Sequence, residues 1–318
     1  MIDFAYLSKG LNALARAHHM SSMAGHLGAS LVAGYFVGEQ RPNLDQTVYE
    51  GIEGDLDRVI DGESVFGRKM SKNSELADSE LFAPFPSQKA DPSLVDGVAE
   101  GLLSNVGEAR QSGHNVIFAS LTIRALKEHP ELATPAVVDG IRRLLSLFDD
   151  EHPGSGYYGR DKGRISGSKI TLSETDDIPE YDSIEGMALA VLDELLNQDA
   201  QVHKVGYGGL VHIVNHAAAI VDLDKYGYPE LANQAVHSHR QHLRLWKSLP
   251  NVADEMGPVK ISRFTPHKAA YWTSGNVPYD RALLTPRVKT MFGFEELSKA
   301  IDEEAIEKQA YDRLRYLM

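Results

Sequence analysis

The sequence predicts an all-α protein, and three observations carry that prediction. Strand-like alternation of β-branched and aromatic residues hardly occurs, whereas Ala, Leu, Ile and Val recur at helical spacing. A histidine followed by an apolar helix and then a proline occurs three times, from His26 to Pro42, His114 to Pro130 and His212 to Pro229. The His-to-Pro offsets are 16, 16 and 17 residues, and the second and third copies both continue Pro-Glu-Leu-Ala. Diverged helical hairpins of this kind cannot bury their apolar faces singly, so they stack. The expectation is one repeat-built domain over 1–318, an α/α toroid or short helical solenoid, with units near 1–92, 93–181 and 182–250 and a closing segment over 251–318.

Taken in order, helices are expected at 3–19, 24–39, 44–61, 93–111, 114–128, 134–149, 182–198, 207–225, 229–248, 266–273 and 294–316. In each copy the helix after the histidine is apolar and reads as the inner one. The proline then opens a more polar outer helix, since its missing N–H costs nothing in a first turn. Ile52, Leu56, Val59 and Ile60 make the apolar face of the first outer helix, with Glu53, Asp55, Asp57 and Arg58 in solvent. Ile141, Leu144, Leu145 and Phe148 do the same in the second. Stretches 62–92, 151–181 and 250–265 read as long ordered loops.

The formal charge of −13 disfavours nonspecific binding to nucleic acid or to anionic membranes. There is no cysteine, which excludes disulfides, thiolate metal sites and cysteine nucleophiles. No secretory signal is evident, and the longest apolar run, Leu27 to Gly38, is too short to span a bilayer. A cytoplasmic protein without nucleic-acid or membrane partners is expected.

Chemistry concentrates on His26, His114 and His212. In stacked units, equivalent positions point at one axis, and three neutral imidazoles there suit zinc, iron, copper or manganese with a position open to water or substrate. His212, Asn215 and His216 fall at i, i+3 and i+4, a polar stripe on an apolar helix that needs polar partners. Two other readings of these histidines stand beside the metal: a polar pocket without an ion, and helix-start residues that only bond the preceding turn. His18-His19 reads as a polar helix end or an extra ligand pair, and His237, His239 and His242 as a solvated outer face.

Further candidates lie in loops. The segment 151–169 joins five glycines to Tyr157, Tyr158, Arg160, Lys162, Arg164 and Lys169, and reads either as a cover that grips an anionic or aromatic ligand through Tyr157 and Arg160 or as a flexible surface excursion. His267 and Trp272 sit in a stretch dense enough in functional groups to wall a pocket, which also holds Arg281. Glu174, Asp176, Asp177, Glu180 and Asp182 are available as carboxylate ligands or general acids, with Asp182 also placed as a helix N-cap. G-x-S-x-G, HExxH and Rossmann motifs are absent.

The hairpins resemble the α/α-toroid class, without the aspartate-rich motif of its terpene cyclases or the cysteine ligands of its lanthionine enzymes. The segments from His18-His19 to Gly34 and from Tyr207-Gly-Gly-Leu-Val-His212 to His216, with Pro266-His267-Lys268, resemble the questin-oxidase-like family over about a fifth of the chain. That likeness implies oxidation of an aromatic or polyketide-like molecule. The expected function is therefore an enzyme acting on a small organic molecule in a His-lined pocket, with metal-assisted oxidation favoured. The alternatives are a non-catalytic scaffold or ligand-binding protein, and a carbohydrate-active toroid with paired carboxylates drawn from Glu174 to Asp182, Asp254 and Glu255.

Overall fold

The computed structural model describes residues 1–63, 76, 78–172, 180–275, 284–301 and 304–318. The helices are α1 (Phe4–Arg16), α2 (Gly25–Gln40), α3 (Gln46–Ile60), α4 (Asp78–Leu81), α5 (Val95–Leu102), α6 (His114–Glu128) and α7 (Pro135–Ser146). They continue with α8 (Ile184–Leu196), α9 (Gly209–Lys225), α10 (Pro229–Lys247), α11 (Ala253–Met256), α12 (Ala269–Thr273), α13 (Leu284–Ser298) and α14 (Glu304–Arg313). Between α7 and α8 a two-stranded antiparallel hairpin pairs β1 (Ser155–Tyr157) with β2 (Arg164–Ser166). The protein is thus essentially all-helical, and no described helix is long and apolar enough to cross a membrane.

Four helices are buried nearly all round. In α2 every residue from Gly25 to Gly38 is buried, in α6 every residue from His114 to Leu126, and α13 is buried along its whole length. Most of α9 joins them. α2 packs on α6, α6 on α9, α9 on α13, and α13 back on α2. Amphipathic helices lie outside: α1 against α2 and α7, α5 against α6 and α7, α8 and α10 against α9, and α3 against α2 and α13. Where α1 crosses α2 the backbones touch, since a Cβ on Gly28 would lie 2.4 Å from the Gly10 carbonyl oxygen. The buried apolar side chains form one cluster running from Ile2 to Met318.

The four inner helices run in the same direction. Their first two turns gather His26, His114, His212 and Lys289 at one end. Their last turns gather Gln40, Arg124, Asp222 and Glu296 at the other, where Arg124 lies 3.1 Å from Glu296 and 3.4 Å from Asp222. Both ends of the inner assembly are therefore polar, and the apolar layer lies between them.

Several expectations need correction. Only Pro229 opens its helix; α3 begins at Gln46 behind the Asp45 cap, and Pro130 lies in a single 3₁₀ turn before α7 starts at Pro135. The helix expected over 93–111 stops at Leu102, because Ser104, Asn105 and Gly107 favour turns and the Asn105 amide donates to the Leu145 carbonyl. The helix expected over 294–316 is two helices, α13 and α14, and α13 begins ten residues earlier. Asp55 is not in solvent: it is 4% exposed and pairs with Arg287 of α13 at 2.6 Å. Within the expected 151–181 loop stands the β1–β2 hairpin.

Candidate metal centre

His26, His114 and His212 come together although 88 and 98 residues separate them in the chain. His114 Nε2 lies 2.5 Å from His26 Nε2 and 3.2 Å from His212 Nε2, and one nitrogen of each ring lies within 4.8 Å of the others. All three are buried, at 1%, 3% and 8% exposure, and the Phe118 ring stacks edgewise against His26. Each sits in the first two turns of its inner helix, so the parallel arrangement of α2, α6 and α9 is what makes them meet.

The turns before α6 and α9 fix the ring tautomers. His114 Nδ1 donates to the Gln111 carbonyl, and His212 Nδ1 donates to the Gly208 carbonyl at 2.8 Å. Both Nε2 atoms are thereby left as lone-pair acceptors aimed inward. Those turns are strained: Gln111, Ser112 and Tyr207, with φ of 43°, 62° and 48°, are the three non-glycine residues with positive φ among the described residues. Left-handed backbone at such residues costs roughly 1–3 kcal/mol each and concentrates at functional sites. Here it aims two carbonyls at two imidazoles.

The fourth inner helix, α13, adds Lys289, which the sequence reading missed. It is 2% exposed, and its amine contacts His26 Nδ1. Burial lowers its pKa to about 7. The amine can therefore act as donor or acceptor toward His26. As donor it makes His26 Nε2–H the proton that bridges to His114 Nε2; as acceptor from Nδ1–H it frees the His26 Nε2 lone pair as well.

Burial, followed by the charge of Lys289 and of the neighbouring imidazoles, holds His26 well below the usual histidine range. Burial and then His212 and Lys289 do the same to His114, and burial brings His212 down to about 3. The rings are consequently neutral near pH 7. Yet the acceptors of His114 and His212 face each other at 3.2 Å with no proton of their own to share. Tetrahedral coordination at about 2.0–2.1 Å sets ligand nitrogens roughly 3.3 Å apart, which matches this spacing; the His26–His114 pair must part by about 0.8 Å to do the same.

The centre opens into a cavity of about 450 Å³. Its walls combine the strained turns, the glycine-rich segment from Gly206 to Gly209, and Arg164 of the hairpin, with Met23, Leu210 and Leu317 as apolar surface. Among the described residues, no aspartate or glutamate lines it. On the far side of Lys289 a second cavity of about 10 Å³, the size of one water, is bordered by the Ser120 hydroxyl and the Asn215 side chain.

The other expected residues take different places. His216 lies one helical turn behind His212, packed against Gly113, and its Nδ1 faces His242 Nδ1 at 3.3 Å. His239 and His242 are fully buried, contrary to the solvated face expected for them, and His237 alone of the three is exposed. His242 Nε2 donates to the strained Tyr207 carbonyl at 2.8 Å, and His239 is held between the Ile213 carbonyl and the Tyr181 hydroxyl. Asn215 donates weakly to Thr290 beside the small cavity. Tyr157 and Arg160 turn outward to Glu255 and do not line the large cavity, where Arg164 stands instead.

His267 pairs with Glu295 at 3.0 Å, and Trp272 packs on Gly51 of α3, so neither reaches the triad. His18 bonds the Ala15 carbonyl and His19 stacks on it, outside the cluster. Glu180 pairs with Arg240, and Ser183 rather than Asp182 caps α8. Glu174, Asp176, Asp177 and Arg281 lie outside the described residues. A signal for the turns was present in the sequence, because glycine directly precedes His26 and His114 and two glycines stand just before His212.

Compared with protein-family models, with curated proteins and with solved structures, the chain gives no match.

Proposed function

We propose that this protein is a metal-dependent enzyme that acts on a small organic molecule, with the ion held by Nε2 of His26, His114 and His212. One observation carries the proposal: two imidazole acceptors, locked in tautomer by strained turns, face each other in a buried site where protonation is disfavoured. A cation between them relieves that opposition, and neutral imidazoles on three rigid helices are the ligand set that zinc, iron and copper favour. The bound ion would supply a Lewis acid for a coordinated oxygen or, if iron or copper, an electron. Gln111 and Gly208 keep two ligands oriented, and the cavity positions the substrate beside them. The questin-oxidase-like likeness favours oxidation over hydrolysis. Behind the site we place an α/α toroid, supported by the packing order α2, α6, α9, α13 and back to α2.

The test is elemental analysis of untagged wild-type protein and of His114→Ala, with circular dichroism to check that the variant folds. Near-stoichiometric zinc, iron, copper or manganese in the wild type, lost in the folded variant, is the expected result. Absence of metal from both, after growth and reconstitution with each ion, removes the proposal.

A further inference from the structure

We infer that the large cavity selects an organic anion: a molecule with an apolar body and a carboxylate or similar group that docks at the Arg164 end of the cavity. The inference rests on reading this cavity as the substrate site. The chain holds 45 acidic residues against 32 Lys and Arg, yet among the described residues none that line the cavity is acidic, while Arg164 and Lys204 both do. A pocket drawn at random from such a surface would carry carboxylates, and a cationic substrate would require them.

The two cations are placed differently. Lys204 is fixed: its Nζ donates to the Lys247 carbonyl at 2.8 Å and lies 4.9 Å from the Trp246 ring centroid. Glu194, the carboxylate whose charge reaches Lys204, is itself engaged by the Lys247 amine. Arg164 is the exposed residue of β2 and makes no ion pair among the described residues, so its guanidinium keeps its donor set for a ligand. The buried imidazoles are at the opposite, inner end. Leu210, Val211, Pro286 and Leu317 give the cavity wall its apolar surface. The start of α9 lies in the same wall, and its first-turn N–H groups at Leu210 and Val211 have no carbonyl of their own helix to bind. Rim charge, apolar walls and an inner reactive end describe an amphipathic anion inserted body-first.

The test uses 4-phenylbutyrate and its uncharged isostere 4-phenylbutyramide as probes, titrated calorimetrically into purified protein before and after chelator treatment. The expected result is carboxylate binding at least tenfold tighter than the amide, in both states of the protein. Arg164→Gln should bring the two within about threefold, and Arg164→Lys should keep most of the preference. Equal affinities, no binding of either probe, or a preference that survives Arg164→Gln overturns the inference. A preference that vanishes with chelation also overturns it, because the anion is then sitting on the ion, and the metal centre stands. A preference shown by protein that takes up no metal, either as purified or on reconstitution, leaves the inference standing and removes the metal centre.

Discussion

Gly208 and Gly209 are neighbours with nearly the same backbone, at φ of 72° and 68°, but only one touches the triad. A Cβ at Gly208 would lie 2.3 Å from His212 Cγ and 2.5 Å from its Nδ1, whereas a Cβ at Gly209 meets nothing within 4 Å. Gly209→Ala therefore costs only left-handed strain, roughly 1–2 kcal/mol, offset by about 0.5 kcal/mol from the stiffer unfolded chain. Gly208→Ala carries the same strain, loses the His212–Gly208 hydrogen bond at about 1 kcal/mol, and forces the ring aside at about 1–3 kcal/mol more. The expected stability losses are about 1 kcal/mol for Gly209→Ala and about 2.5–5.5 kcal/mol for Gly208→Ala, read from urea unfolding of metal-free protein. Metal affinity, measured by competition with a chromophoric chelator, should drop about 10–100-fold in Gly208→Ala alone, as expected when a ligand loses the group that orients it. Equal losses in the two variants, in both assays, would refute the claim that the turn before α9 exists to aim His212.

The buried second tier should make the fold acid-sensitive. Burial depresses His239 to about 3 and His242 to about 4, against about 6.5 in the unfolded chain, so the unfolded state binds more protons. Their stabilising effect is complete above about pH 6.5 and is lost as pH falls toward 4, at about 1.4 kcal/mol per pH unit for each and about 2.7 for both. Urea unfolding from pH 7 to 5 should show the average slope reduced by about 1 kcal/mol per unit in His239→Gln, and an unchanged slope contradicts the burial. Asp55→Ala removes the buried carboxylate that pairs with Arg287 at 2.6 Å and should cost about 3–5 kcal/mol, while Asp55→Leu with Arg287→Met should recover most of it. A loss under 1 kcal/mol for Asp55→Ala would mean that the pair is solvated.

How far the molecule was legible in its sequence differs from helix to helix. α2, α6 and α9 were readable as inner helices because their runs are apolar over ten or more residues and each opens near a histidine. α13 was not, because Arg287, Lys289, Glu295 and Glu296 give it the look of a surface segment. Their partners, Asp55, His26, Arg41 and Arg124, are more than 170 residues away, beyond any local window. For the same reason Lys289 escaped notice while the three repeated histidines did not. His239 and His242 were misread as solvated because Arg240 and Arg244 flank them. Their phase with Leu231, Ala235 and Trp246 places them on the inward stripe, and that signal was available. The neighbouring glycines signalled turns before His114 and His212, but the left-handed backbone of Gln111, Ser112 and Tyr207 themselves was illegible, since none of these residues favours positive φ.

The central claim is that three imidazoles from α2, α6 and α9 share one ion. Anomalous diffraction from crystals of untagged protein, collected on both sides of the zinc, iron, copper and manganese absorption edges, tests it most directly. The account predicts a peak within about 2.0–2.3 Å of Nε2 of His26, His114 and His212 together, facing the large cavity. A fully occupied ion bound elsewhere, or a clear map in which the three rings only bond one another and the neighbouring carbonyls, would contradict it.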